Sequence, residues 1–344
     1  MPNFIVHIGP HKTGTTYLQL TLAAAKDRLA AIGAVYPAIW YASPDNPSHH
    51  LLSQRVRQHE LDALRREVRD LTALDCDTVI ISAEDLKDLD NEEVKILADT
   101  LPSGRVTIVY YCRRWSELLP SAWQETIRQG QDHTLPEFLA RRTVNLSTSM
   151  LVNYGNVLDK YIAAFGVRNV RLASYNNIVD SGWDLAEHFL TTFVAQGDVA
   201  QEDVAHGDRR PWPEVRARPN ASMAPAEIEI IRMLNQIHHE RGGGPGGALR
   251  NWYHLNAGRL DVSELSAAMN ENMATIEFSD SSVRMEAFHQ RLFKRYRTLM
   301  VPPASGDRLF TPHRRDLAYV LRDYLCDPAM MRRLDEIYRC FLAL

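Results

Sequence analysis

The chain has 344 residues, of which 45% are hydrophobic and 24% are charged, with a formal net charge of −4. This length suits one large α/β domain with additions and allows a substantial buried core. The lack of a basic excess argues against nucleic-acid binding, so an anionic ligand would need a local cluster of cations. No apolar stretch approaches the ~18 residues of a membrane span, and the first residues do not resemble a signal peptide, so we expect a cytoplasmic enzyme.

Four short apolar runs predict the strands of a parallel sheet. They span residues 4–8, 78–82, 106–112 and 170–174. They lack alternation, as expected of strands that are covered on both faces. Helical patterns accompany them at residues 16–31, 61–74, 92–101, 116–128 and 151–165. This order predicts an α/β fold over residues 1–195, a three-layer doubly wound parallel sheet of P-loop type.

The sequence changes in character after Val194. Residues 195–222 are polar and rich in proline, which predicts an irregular segment. Further helical patterns lie at residues 226–240, 263–273, 282–297, 314–324 and 330–342. Residues 196–344 are therefore predicted to form a mostly helical extension that packs on the core and completes the acceptor site. Within it, RGGGPGG at residues 241–247 is predicted to be a mobile loop.

The four cysteines carry little functional information. They are Cys76, Cys112, Cys326 and Cys340, and no two of them form a C-x-x-C pair. This spacing indicates neither a zinc site nor a redox motif, and it fits a reducing compartment. Cys112 lies in an apolar run and is predicted to be a buried thiol.

The first strand leads into a stretch that predicts a phosphate site. In FIVHIGPHKTGTTYLQ a strand, a loop with glycine, lysine and threonine, and a helix follow one another. Backbone N–H groups of such a turn converge on one point, and the helix dipole adds partial positive charge there. Lys12 adds a full charge, Thr15 and Thr16 add hydroxyls, and Gly14 allows a close approach. The phosphate loops of proteins that bind nucleoside triphosphates place the lysine after the second glycine, whereas here Lys12 precedes Gly14.

PHKTGTTYLQ resembles the 5′-phosphosulfate loop of the sulfotransferases that use 3′-phosphoadenylyl sulfate (PAPS), which has the form P-K-[ST]-G-T-T-x-L. One additional residue, His11, separates Pro10 from Lys12 here, and some bacterial members look similar. The resemblance implies that Lys12 faces the bridging oxygen that leaves sulfur, that PAP is the product, and that no metal is required. It implies that the cofactor is bound by Pro10, His11, Lys12, Thr13, Gly14, Thr15, Thr16 and Tyr17.

The same resemblance implies a second anion site, in which a strand ends in arginine and a serine follows eight residues later. The strand at residues 106–112 is followed by Arg113, and Ser121 is eight residues further on. Arginine presents a planar charged fork to a phosphate, and serine adds one hydroxyl. Arg113 and Ser121 are therefore expected to hold the 3′-phosphate of PAPS.

Two tyrosines are candidates for contact with the adenine. VRLASYNNIVD resembles the family segment whose tyrosine lies near this base, and Tyr175 is the matching residue. Tyr17 stands where relatives often have an aromatic residue that packs on the adenine. Aromatic rings stack on bases with about 1–3 kcal/mol per base. Both positions suit core tyrosines equally well.

Sulfuryl transfer to a hydroxyl also requires a group that takes the proton. TVIISAEDL ends a predicted buried strand with Glu84 and Asp85. In the family, glycan sulfotransferases use a glutamate and cytosolic members a histidine at the end of the corresponding strand. Partial burial would raise the pKa of Glu84 and make it a better base, so Glu84 is preferred. The rivals are His49 and His50, which follow a proline-rich loop suited to a substrate-facing rim. Asp85 is expected to cap the following turn.

Two later segments are candidates for contact with the cofactor. Cytosolic family members close a glycine-rich loop over the 3′-phosphate. RGGGPGGALRNWY, with Arg241 and Arg250, does not match that loop residue by residue and is a candidate lid. RPNAS at residues 218–222 is a second basic segment within reach of a cofactor.

Three functions compete at this point. The first is a PAPS-dependent sulfotransferase that acts on a hydroxyl of a carbohydrate or a small molecule. The second is a P-loop kinase, for which TVIISAED would supply acidic metal-binding residues. A kinase loop needs lysine where Thr15 stands, which argues against it. The third is a non-catalytic PAPS-binding protein. Because Lys12 and a candidate base are both present, the first function is preferred.

Overall fold

The structure is a computed structural model that describes residues 1–195, 223–244, 247–256, 259–260, 262–320 and 327–343. These residues form two compact units. The first contains residues 1–114, 153–195 and 286–311, and the second contains residues 115–152 with the described parts of 220–285 and 312–344. The predicted boundary at residue 195 borders a stretch outside the described residues. The division into 1–195 and 196–344 therefore stays a prediction.

A five-stranded parallel sheet forms the centre of the first unit, with the strand order β2-β3-β1-β4-β5. The strands are β1 (Asn3–His7), β2 (Ala34–Val35), β3 (Thr78–Ser82), β4 (Val106–Cys112) and β5 (Val170–Ser174). The four predicted strands are confirmed. The short edge strand β2 was not predicted, because two residues carry no readable pattern.

The helices follow the predicted alternation with the strands in the first half of the chain. In chain order they are α1 (Thr15–Ala24), α2 (Lys26–Ala31), α3 (His50–Arg57), α4 (Leu61–Thr72), α5 (Asn91–Thr100), α6 (Trp115–Arg128), α7 (Leu135–Thr143), α8 (Gly155–Phe165), α9 (Tyr175–Asp180), α10 (Leu185–Phe189), α11 (Pro225–Glu240), α12 (Ala248–Asn256), α13 (Ser263–Glu271), α14 (Val283–Tyr296) and α15 (Pro328–Leu342). Of these, α3 matters most for the site, and the sequence analysis did not predict it.

Helices cover both faces of the parallel sheet, so the first unit has three layers. On one face, Ile5, Val109 and Tyr111 share a buried cluster with apolar side chains of α1, α9 and α10. On the other face, α8 contacts β4 and β5. Strands that are covered on both sides are apolar without alternation, which is why these runs were readable. The predicted doubly wound α/β class is confirmed.

The second unit is mainly helical but also contains a two-stranded antiparallel sheet. Its strands are β6 (Met273–Ser279) and β7 (Arg314–Val320). The helix predicted at residues 314–324 is therefore wrong over the described residues. Leu317 and Val320 are buried three residues apart, which is a helix-like spacing. Hydrogen bonding with β6 forms a strand there instead, and the sequence pattern of β7 alone does not reveal that partner.

Two smaller expectations can be compared with the structure. Cys112 is fully buried at the end of β4, as predicted. Among the helices of the described residues, none combines the length and the apolar character that crossing a bilayer demands.

Candidate functional site

The loop between β1 and α1 forms the centre of the site. It follows the carboxyl end of the central strand, which is where open α/β sheets bind their ligands. Gly9, Lys12 and Gly14 have positive φ angles of 89°, 69° and 76°. The Thr13 hydroxyl donates to the Pro10 carbonyl at 2.7 Å, which closes the turn. A loop whose residues have left-handed backbone conformations, and which directly precedes a helix, is suited to presenting backbone N–H groups to an anion.

Both glycines of this loop have a backbone conformation that favours glycine, and both lie close to neighbouring residues. A Cβ on Gly9 would lie 3.1 Å from the Cα and the Cβ of Glu84. A Cβ on Gly14 would lie 2.7 Å from a methyl carbon of Leu185 and 3.4 Å from the Tyr175 ring. The loop is therefore held at one end by the turn after β3 and at the other by α9 and α10.

The threonines and the tyrosine after the loop begin α1. Thr15 is buried, whereas Thr16 and Tyr17 are partly buried. The Tyr17 hydroxyl donates to Asp184 Oδ2 at 2.5 Å, and Asp184 Oδ1 accepts the N–H of Ala186 at the start of α10. Burial and then the Asp184 carboxylate raise the pKa of Tyr17 to about 12. Tyr17 thus links α1 to α10, and its contact with adenine stays a prediction.

Arg113 lies against the same loop. Its guanidinium donates to the carbonyl of Lys12 and lies 5.4 Å from the centroid of the Tyr175 ring. Three residues that were predicted from separate motifs, Lys12, Arg113 and Tyr175, are thereby brought together. Ser121 is partly buried on α6, in the second unit. Its pairing with Arg113 stays a prediction.

Glu84 begins the 3-10 turn Glu84–Asp88 after β3, with 8% of its surface exposed. Its Oε2 accepts a hydrogen bond from Gln19 Nε2 at 2.8 Å, and His11 Nδ1 lies 3.6 Å from its Oε1. Burial alone would raise the pKa of Glu84, but the contacts with His11 and Gln19 outweigh it and lower the pKa to about 2. The expected rise was wrong, because this carboxylate is buried among polar partners rather than apolar groups.

His49 is a buried structural residue and not part of a substrate-facing rim, so that expectation was wrong. The Ser82 N–H donates to His49 Nδ1 at 2.9 Å, and His49 Nε2 lies 2.7 Å from the Pro37 carbonyl oxygen. Burial lowers the pKa of His49 to about 4. The backbone N–H of His49 also donates to the backbone carbonyl of Ser82 at 2.9 Å. His49 therefore pins the chain before α3 to the end of β3.

His50, the first residue of α3, is placed beside the turn after β3 by that contact. Its Nδ1 lies 2.7 Å from Asp85 Oδ2. The neighbouring Asp85 carboxylate raises the pKa of His50, and the His50 imidazole lowers the pKa of Asp85. The predicted capping role of Asp85 was wrong, since no side chain caps this turn and Asp85 faces an imidazole instead.

Two features of this site were missed by the sequence analysis. One is Gln19, which contacts Glu84 and also donates to the Ser82 hydroxyl at 3.2 Å. A signal existed, because Gln19 falls four residues after Thr15 on the buried face of α1, and a buried amide needs partners. The other is the pairing of His50 with Asp85, which depends on contact between residues that are distant in sequence.

The two basic segments that were predicted to contact the cofactor are only partly described by the structure. In the second unit, Arg241 forms an ion pair with Asp335, and its guanidinium lies 5.0 Å from the centroid of the Tyr338 ring. Residues 245–246 and 218–222 lie outside the described residues. The lid and the cofactor contact predicted for these segments therefore stay predictions.

Solved structures include chains that are similar to this one. No protein-family model and no curated protein matches this sequence. A crystal structure of a sulfotransferase from Alicyclobacillus acidocaldarius is similar to the chain, with a TM-score of 0.37 and 13% sequence identity. The similarity covers 73% of this chain and 99% of that one. At this low identity, the function must be argued from the residues of the chain itself.

Proposed function

We propose that this chain is a sulfotransferase that moves the sulfuryl group of PAPS to a hydroxyl group. The observation that supports this most is the meeting of Lys12, Arg113 and Tyr175 at one loop. Each comes from a different motif that resembles a PAPS contact, and nothing in the three motifs separately requires the residues to meet. The loop also places lysine before the glycine, unlike the loop of nucleoside triphosphate enzymes.

The proposed roles follow from where charge develops. The acceptor oxygen forms a bond to sulfur while the bond from sulfur to the 5′-phosphate oxygen breaks. Lys12, the loop N–H groups and the positive end of α1 stabilise the charge that appears on that phosphate. Arg113 and Ser121 hold the 3′-phosphate. Tyr175 and Tyr17 contact the adenine, and no step assigns a role to a divalent metal.

The acceptor hydroxyl loses its proton as its oxygen bonds to sulfur, so a base must stand beside it. The turn after β3 and the start of α3 bring together Glu84, Asp85 and His50. Either Glu84 or His50 is the proton acceptor in this scheme. The acceptor is proposed to be a hydroxyl of a carbohydrate or a small molecule.

A donor comparison tests this function. The chain is incubated with ³⁵S-labelled PAPS or with γ-labelled ATP, each with a panel of sugar and phenol acceptors, with and without EDTA. We expect ³⁵S transfer with matching release of PAP, unchanged by EDTA and lost in Lys12→Ala. Transfer from ATP that EDTA abolishes would instead indicate a kinase. Binding of PAP without transfer to any acceptor would indicate a non-catalytic binding protein.

A further inference from the structure

His50 and Asp85 form a paired imidazole and carboxylate at the edge of the phosphate loop. The pair joins the first residue of α3 to the turn after β3, with 2.7 Å between His50 Nδ1 and Asp85 Oδ2. About 19% of the His50 side chain is exposed, so the ring is accessible without being fully solvated. Because the Asp85 carboxylate lies beside Nδ1, the other ring nitrogen, Nε2, is the one that we expect to face a substrate.

Carboxylates of the turn after β3 act on this imidazole. Asp85 has the largest effect, Glu84 reinforces it, and the neighbouring ring of His49 interacts with it. His11 reaches the pair through the other oxygen of Asp85, with 3.7 Å between His11 Nε2 and Asp85 Oδ1. The position of Asp85 is itself supported, since Arg57 donates to its backbone carbonyl at 3.4 Å.

Glu84, by contrast, is engaged in holding the loop. One of its oxygens accepts from Gln19 and the other faces His11, while its Cα and Cβ pack closely against Gly9. Taking a proton would weaken the contacts with Gln19 and His11. A carboxyl whose pKa is about 2 also binds protons weakly near neutral pH.

We propose that His50 is the proton acceptor of the transfer and that Asp85 is its positioning residue, while Glu84 stays ionised and braces the phosphate loop. The proposal rests on the proposed sulfotransferase function. His50 Nε2 takes the hydroxyl proton as the new O–S bond forms and the bond from sulfur to the phosphate oxygen breaks. Asp85 fixes the ring through Nδ1–H and stabilises the imidazolium, and His50 returns the proton to water after the products leave.

This assignment gives a pH dependence whose sign can be worked out. His50 can accept a proton only when its ring is neutral. The rate should therefore rise with pH as the imidazolium loses its proton. Because Asp85 raises the pKa of His50 above its ordinary value of 6.5, the acidic limb of kcat/KM should lie above pH 6.5. Removal of the Asp85 charge should move that limb to lower pH.

The test uses the full chain and two measurements. NMR titration of ¹³C-labelled histidine, without substrate, follows His50, whose signal is identified by its loss in His50→Asn. The pH profile of ³⁵S transfer from PAPS is recorded in parallel for wild type, Asp85→Asn, Glu84→Gln and His50→Asn. Asp132→Asn is the matched control, because Asp132 belongs to another imidazole and carboxylate pair, in the second unit, with 2.9 Å between His239 Nδ1 and Asp132 Oδ2.

In His50→Asn we expect kcat to fall on the order of 10²–10⁴-fold, as is usual for loss of a general base. In Asp85→Asn, the His50 titration and the acidic limb should move together to lower pH, and in Asp132→Asn neither should move. The inference is overturned if wild type transfers sulfuryl groups and His50→Asn stays within a few-fold of it, or if Asp85→Asn leaves both pH midpoints in place. Absence of any transfer by wild type would instead refute the proposed function.

Discussion

Replacing Gln19 by leucine removes a hydrogen-bond donor from a buried carboxylate. Gln19 and Glu84 are both buried, and Gln19 Nε2 lies 2.8 Å from Glu84 Oε2. Leucine has a similar length and suits a helix, so α1 should remain intact. A buried group that loses its partner costs about 1–3 kcal/mol, and more if it is charged. We expect the free energy of unfolding of Gln19→Leu to fall by about that amount at neutral pH.

The pH dependence identifies the cause of this loss. In the folded chain, the pKa of Glu84 is lowered from 4.5 to about 2. At about 1.4 kcal/mol for each unit of pKa, its ionisation contributes on the order of 3 kcal/mol to folding. The contribution is fully present above pH 4.5 and is lost as the pH falls toward 2. Without Gln19 the folded-state pKa of Glu84 rises, so the variant should differ less from wild type at pH 3 than at pH 7.

Urea unfolding of wild type and Gln19→Leu at several pH values, between about 3 and 7, measures the difference in their free energies of unfolding. Gln236→Leu is the matched control, because the hydrogen bond that Gln236 donates to Glu240, at 2.9 Å, is exposed at the surface. The free energy of unfolding of Gln236→Leu should stay within about 0.5 kcal/mol of the wild-type value at every pH. A loss in Gln19→Leu that is the same at pH 7 and pH 3 would show that Gln19 does not act through the charge of Glu84.

Three further predictions concern the loop and its anion contacts. Lys12→Ala should reduce kcat on the order of 10²–10³-fold while PAP binding stays measurable by calorimetry, because lysine acts mainly on charge that develops during transfer; equal losses in binding and rate would contradict this. Arg113→Ala and Ser121→Ala should weaken binding of 3′-phosphorylated nucleotide far more than that of its 3′-dephospho analogue, and equal weakening would refute the 3′-phosphate assignment. Gly9→Ala should destabilise the chain by about 1–3 kcal/mol or more, and by more than Gly104→Ala, which has a similar positive φ but no atom within 4 Å of the added Cβ; equal losses in urea unfolding would show that contact with Glu84 adds nothing.

The strands and the loop were readable from sequence because their determinants are local. A strand covered on both faces must be apolar along its whole length, so residues 78–82, 106–112 and 170–174 identified β3, β4 and β5. The loop was readable for a similar reason, since a tight turn before a helix requires glycine at Gly9 and Gly14. Both have positive φ, and an added Cβ would lie unusually close to a neighbouring residue at each.

The state of each titratable group was decided by the tertiary structure alone. A sequence shows that Glu84 ends a buried strand, but its pKa depends on whether its neighbours are apolar or polar. Those neighbours, Gln19 and His11, come from α1 and the loop. His49 and His50 are adjacent in sequence, yet one is buried against Ser82 and the other pairs with Asp85. Local sequence determined where the strands and the phosphate loop form, whereas long-range packing decided which polar side chains meet and therefore how they ionise.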